Sequence, residues 1–186
     1  MVSADTIVPV FSVLACLQHW GELAVAYPRG QWTPGRRAAS ARLGAGYMVF
    51  ILATLAERAM LSRGWHPGIA VAGLVCWAAR TALKVWVMRT LGRHWSVRVE
   101  LRDDHRLITA GPYRFLRHPA YLSNLLGISG VALVPNAYIS LCIGMCVMVV
   151  LIAQRVSEEE RALAERFGGE YAAYRRRTSA LIPFIF

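Results

Sequence analysis

Residues 121–153 read YLSNLLGISGVALVPNAYISLCIGMCVMVVLIA. They form two apolar runs, 121–134 and 137–153, with only Pro135-Asn136 between them. Pro-Asn is a strong turn signal, and neither run carries a charge, so the stretch predicts a tight helical hairpin inside a membrane. A helix needs roughly 20 residues to cross the hydrocarbon core. Both runs are shorter than that, which predicts a tilted or partly re-entrant hairpin. Three longer apolar blocks precede it, at about 7–27, 43–60 and 69–88, each long enough to cross alone. The expected fold is all-α: an integral membrane protein of about five transmembrane helices, the last two a hairpin.

Composition agrees. Hydrophobic residues make up 56% of the 186 and charged residues 17%, too apolar for an ordinary soluble domain. The net charge is nonetheless +10, and 20 of the 21 basic residues are Arg. A nucleic-acid binder would spread such charge over a polar surface. Here the arginines sit between the apolar blocks, which excludes that class and points to a basic inner face. Segments 28–42, 88–118 and the tail after 153 hold 17 of the 21 basic residues. Five alternating spans with the N-terminus outside place all three on the cytosolic side. Met1 to Thr6 contains Asp5 and no Lys or Arg, so no cleavable signal is expected and the first block reads as a retained span. A single Lys among so many Arg suggests a high-GC bacterial genome, hence a bacterial inner membrane.

Polar residues inside the spans ask for partners. They are His19 and Glu22 in the first, Glu57 and Arg58 in the second, and Arg80 and Lys84 in the third. Arg80 and Lys84 share a helical face, either snorkelling toward headgroups or lining a polar cavity. Cys16, Cys76, Cys142 and Cys146 all lie in apolar blocks without metal-ligand spacing. They read as buried inert thiols, with neither disulfide nor metal expected. After the fifth span, Ser157-Glu158-Glu159-Glu160 has the pattern of a helix start, with Ser157 as N-cap and Glu160 as its capping-box partner. Leu163, Phe167, Tyr171 and Tyr174 then recur at helical spacing, broken at Gly168-Gly169, as in an amphipathic helix at the inner interface. Tyr171 and Tyr174 read as interfacial packing.

The densest polar stretch is 94–121. It contains His94, His105 and His118, Gly111-Pro112-Tyr113, and Arg117-His118-Pro119-Ala120-Tyr121. No metal template or Gly-rich phosphate loop fits it. The residues alone define a basic, aromatic pocket at the membrane, with Glu158 to Glu160 in the next cytosolic segment. The run Trp95-Ser96-Val97-Arg98, then 104–114 (DHRLITAGPYR), then Arg117-His118-Pro119-Ala120-Tyr121 closely resembles the signature of the isoprenylcysteine carboxyl methyltransferase family. The later Glu159-Glu160-x-x-Leu163-x-x-x-Phe167-Gly168-x-x-Tyr171-x-x-Tyr174, followed by Ile182-Pro183, resembles that family's C-terminal block. The resemblance covers about residues 90–186.

The length has room for one membrane domain, 1–186, with three transmembrane helices (1–90) read from hydropathy. A cytosolic cofactor loop (91–120), the hairpin (121–153) and a C-terminal cofactor and substrate segment (154–186) follow. The resemblance implies S-adenosyl-L-methionine as cofactor and a lipid-like acceptor reaching the site from the bilayer. Carried over by position, the cofactor contacts are Arg98, His105, Arg106, Leu107, Ile108, Tyr113, His118, Pro119, Ala120, Tyr121 and Glu159. Ala120 stands where the family usually has Ser. Arg155 matches the arginine beside the substrate's reacting group, so Arg155, Glu159 and His118 are the expected catalytic residues.

Each also has a structural reading: His118-Pro119 as a helix cap, Glu159 as a helix-start acid, Arg155 as an inner-face charge. A carboxylate acceptor needs a cation, whereas a phenol needs a base such as His118 or Glu159. In eukaryotic members the acceptor is a prenylated cysteine carboxylate. In a bacterium a small isoprenoid, a phenolic lipid or a phospholipid amine is equally open. An NADPH-dependent sterol- or enone-type membrane reductase shares an Arg-His-x-x-Tyr-like element. An anionic-lipid-binding scaffold without catalysis would also account for the arginines. The oligomeric state is not legible.

Overall fold

The five apolar blocks become five helices: α1 (Ala4–Ala26), α2 (Pro34–Leu61), α3 (Pro67–Leu91), α4 (Pro119–Leu133) and α5 (Tyr138–Arg175). This is a computed structural model. It describes residues 3–26, 34–61, 64–92 and 107–181, and their side chains except at 25, 26 and 34–44. Among the described residues there is no strand beyond an isolated parallel bridge, Leu116 to Ser179. α1, α3 and α5 are long and apolar enough to cross a membrane, while α4, with 15 residues, is shorter. Val10, Val13 and Leu17 on α1, Val71 and Val75 on α3, and Ile143, Val147 and Val150 on α5 are exposed. Such continuous apolar faces are tolerated because lipid, not water, meets them.

The chain divides into two compact units, Met1–Trp77 with Ile128–Gly144, and Ala78–Gly127 with Met145–Phe186. The first is cored by Val8, Phe11 and Ala15 of α1, Ile51 of α2, and Val131 and Val134 at the end of α4. Phe11 meets Trp77 edge-on, with ring centroids 5.4 Å apart. Small residues let α3 and α4 touch. A Cβ on Gly130 would lie 2.9 Å from the Trp77 Cβ and 3.0 Å from the Gly73 carbonyl oxygen.

The hairpin turn is where the sequence expects it, and side chains satisfy its backbone. Asn136 adopts a left-handed φ of 63°. Its Oδ1 accepts the His66 N–H at 2.6 Å, and its Nδ2 donates to the Leu133 carbonyl at 2.9 Å. Trp65 Nε1 donates to the Val134 carbonyl at 2.9 Å. The start of α5 is capped from another helix: the Glu57 carboxylate accepts the N–H groups of Ile139 (3.0 Å) and Ser140 (2.7 Å). An acid at a helix N-terminus meets both the orphan amides and the positive end of the dipole.

In the second unit, Arg80 and Lys84 are buried, so neither snorkels. Lys84 Nζ donates to Asn124 Oδ1 at 3.4 Å. Gly127 leaves room for Arg80, since a Cβ there would lie 3.0 Å from its Nε. Two local expectations are corrected. No helix begins at Ser157: α5 runs unbroken through it, and its hydroxyl back-bonds to the Ala153 carbonyl at 2.9 Å. The Ser-x-x-Glu pattern caps a helix only where the chain enters from outside one, and nothing before Ser157 breaks this helix. The break expected at Gly168-Gly169 is present, with Gly168 at φ 48° and ψ −117°. Cys142 and Cys146, expected to be buried, are exposed free thiols on α5, with the lipid-facing valines.

Glu57→Ala should lower stability by about 1–2 kcal/mol, the cost of losing a helix cap. Glu57→Gln, which keeps one acceptor oxygen, should lose less. Thermal unfolding of the detergent-purified protein reads the difference, and equal loss in both variants would remove the capping role.

Candidate functional site

The second unit holds the loop before α4 together with the charged half of α5. Gly111 begins a short 3-10 turn, Gly111–Arg114, at φ 59°. A side chain on Gly111 would collide with Thr90 at the end of α3, so the loop closes tightly there only with glycine. Tyr174, near the end of α5, donates its hydroxyl to the Tyr113 carbonyl at 2.8 Å and sits 3.5 Å from the Leu116 carbonyl. The chain after α5 then runs alongside the loop. Ser179 N–H donates to Phe115 O (3.2 Å), Arg117 N–H to Ser179 O (2.8 Å) and His118 N–H to Ala180 O (3.0 Å). Tyr171 and Tyr174 are thus buried packing residues of this unit, not an interfacial fringe.

Pro119 opens α4, where its fixed φ suits the first helical position and its missing N–H costs nothing. This aims the preceding side chains at α5. His118 is 3% exposed and stands at the start of α4, its carbonyl accepting the N–H groups of Tyr121 (3.1 Å) and Leu122 (3.4 Å) while its ring meets α5. Its Nδ1 lies 3.6 Å from Glu159 Oε2, and its Nε2 lies 3.3 Å from Glu160 Oε1. Tyr121 donates its hydroxyl to Glu159 Oε2 at 3.0 Å. Arg155, one helical turn before Glu159, hydrogen-bonds the same hydroxyl. Arg117 donates through Nε to Glu160 Oε1 at 2.9 Å, and through Nη1 to the carbonyls of Arg175 (3.1 Å) and Thr178.

The electrostatics follow from this packing. Burial alone would raise the Glu160 carboxyl, but hydrogen bonds and charge from Arg117 and His118 outweigh it and hold the group below its ordinary range. Burial, then the nearby Glu159 charge, pushes the Tyr113 phenol up, leaving it a hydrogen-bond donor and an aromatic face. Glu159 has a 30% exposed side chain and is the acid of the pair that a ligand can reach. The Tyr171 hydroxyl is buried with no hydrogen-bond partner among the described residues.

Of the expected site residues, His118, Tyr121, Arg155 and Glu159 meet in this cluster, with Pro119 and Ala120 in the first turn of α4 and Tyr113 beside it. Leu107 and Ile108 are half-buried at the start of the loop. Arg98, His105 and Arg106 lie outside the described residues. Two members were missed. Arg117 looked like one more inner-face charge, and Glu160 like a capping partner. Their signal was available: opposite charges in the two ordered motifs. Among the described residues no group of His, Cys, Asp or Glu could hold a metal ion.

A model of the isoprenylcysteine carboxyl methyltransferase (ICMT) family matches residues 71–165. The chain is 28% identical over 122 residues to the uncharacterized protein YpbQ of Bacillus subtilis, covering 64% of this chain and 70% of YpbQ. It is 34% identical over 97 residues to the cobalt-zinc-cadmium resistance protein CzcN of Cupriavidus metallidurans, covering 52% and 44%. To the protein-S-isoprenylcysteine O-methyltransferase of Saccharomyces cerevisiae it is 34% identical over 100 residues, covering 53% and 42%. The chain thus spans less than half the length of two of these three relatives. The solved structure of the eukaryotic intramembrane Ras methyltransferase ICMT superposes on the whole chain and on 69% of its own, with a TM-score of 0.76 at 19% identity, a likeness of fold. With its two motifs folded into one cluster and the family model spanning more than half its length, this chain is a member of the isoprenylcysteine carboxyl methyltransferase family.

Proposed function

We propose that the protein is an S-adenosyl-L-methionine-dependent methyltransferase whose acceptor is a lipid-like carboxylate reaching the site from the bilayer. The observation that carries this reading is the chain Arg155–Tyr121–Glu159–His118, which joins the family's two motifs through direct contacts.

The residues fit such a cofactor. Glu159 offers a partly open carboxylate for an amine or ribose hydroxyls, and the rings of Tyr113 and Tyr121 offer faces for an adenine. Leu107 and Ile108 stand in the same loop and Pro119 and Ala120 in the first turn of α4, and Arg98, His105 and Arg106 join the set by family position. When bound, the cofactor supplies a methyl group already activated as a sulfonium. The protein's task is therefore to hold donor and acceptor in line and to exclude water.

Arg155 supplies the cation for the acceptor. Its guanidinium is oriented by the Tyr121 hydroxyl, and a planar fork suits a carboxylate. A carboxylate needs no base at neutral pH, whereas a phenol does. Both ring nitrogens of His118 face carboxylates and the ring is buried, so His118 serves as a holder rather than a base. This favours a carboxylate acceptor over a phenolic one. The prenylated cysteine named for the yeast relative is one such compound; a small isoprenoid acid in a bacterial inner membrane is the one we favour here. The N-terminus outside and the site on the cytosolic face follow from the arginine asymmetry.

Arg155→Ala should abolish turnover while leaving the Kd for S-adenosylhomocysteine within about twofold, a change of less than one hydrogen bond. Parallel losses in both would refute the acceptor role. Glu159→Ala should weaken S-adenosylhomocysteine binding, and unchanged affinity would take it out of the site. Methyl-labelled cofactor incubated with purified enzyme and a bacterial lipid extract should give a base-labile methyl ester. An alkali-stable product would overturn the carboxylate. Binding of NADPH in place of S-adenosylhomocysteine would replace the reading with a reductase.

A further inference from the structure

Arg117 and Glu160 take no part in the chemistry above, yet each holds several partners beside it. The Arg117 side chain is 7% exposed and that of Glu160 17%. One guanidinium holds three pieces of chain. Nε reaches Glu160 on α5, and Nη1 reaches the carbonyls of Arg175 and Thr178, where α5 ends and its last carbonyls lack helical partners. Its backbone N–H donates to Ser179 O. A lysine could not span these acceptors, because a compact ammonium lacks the fork.

Glu160 uses the oxygen that Arg117 holds, Oε1, to meet His118 Nε2 at 3.3 Å. The other ring nitrogen, Nδ1, faces Glu159 Oε2 at 3.6 Å. An imidazole is rigid, so fixing one nitrogen fixes the other. One oxygen of Glu159, Oε2, then meets both the ring and the Tyr121 hydroxyl.

We propose that Arg117 and Glu160 are positioning residues of the site, setting through the His118 ring the place of the Glu159 carboxylate. The inference rests on the assignment of Glu159 to the cofactor. It predicts an effect on affinity rather than on the fraction of folded protein. Glu160→Gln keeps an oxygen for Arg117 and the length of the side chain. Arg117→Lys keeps the charge but not the fork.

Calorimetry of the full chain in detergent, with S-adenosylhomocysteine as probe, separates stoichiometry from Kd. Both variants should bind with wild-type stoichiometry and a Kd raised by about tenfold, the loss of roughly one charged hydrogen bond. A wild-type Kd in either folded variant, or a reduced stoichiometry with unchanged Kd, overturns the inference and leaves a structural ion pair. Glu159→Ala is measured in the same series. If it too binds like wild type, the cofactor assignment itself fails and the inference falls with it. If Glu160→Gln does not fold, Arg117→Lys decides.

Discussion

A backbone amide or carbonyl cannot be left bare in or beside hydrocarbon, and two irregular stretches among the described residues are shaped by that requirement. In the first unit the tight turn after α4 would expose several such groups. Asn136, Trp65 and Glu57 take them up from three directions. In the second unit the loop before α4 has too few internal partners of its own. Arg117, Tyr174 and the chain after α5 supply them. Among the described residues these polar side chains serve backbone groups, while His118, Tyr121, Glu159 and Glu160 face one another.

The unbroken course of α5 between Arg155 and Glu159 fixes the geometry of the site. Arg155 and Glu159 are four residues apart in one helix, which places them one above the other on a single face. Had the chain broken at Ser157, that spacing would have carried no geometric meaning. With the helix intact, the Arg155 guanidinium and the Glu159 carboxylate are held at a fixed separation, and both meet the one Tyr121 hydroxyl.

What was legible in the sequence, and what was not, divides by the range of the interaction. The five helices and the Pro135-Asn136 turn follow from apolar runs and a local breaker. The grouping of His118, Tyr121, Arg155 and Glu159 was reachable only through family resemblance, because no local rule links residues some 40 positions apart. The Glu57 cap spans 82 positions and has no sequence signature, since any acid near a span end reads as a boundary charge. Ser157 misled for the opposite reason: its pattern is local and strong, but it presupposes a break that the preceding apolar helix does not make. Arg117 was hidden by company. Among so many arginines that only mark a membrane face, one that bonds to carbonyls 58 and 61 positions away looks no different.

Those long separations set an order of events during biosynthesis. Residues 107–121 leave the ribosome well before the chain beyond Arg175 that pairs with them. For the intervening interval the loop has neither its bridge to Ser179 nor the Tyr174 hydroxyl, and Arg117 has no helix end to hold. A nascent chain inserted through α4 therefore has the turns that residues 110–121 make among themselves, but none of the contacts that tie them to the end of α5. Those contacts arrive late and together, so a chain stalled before that point lacks the clamp that joins its two motifs.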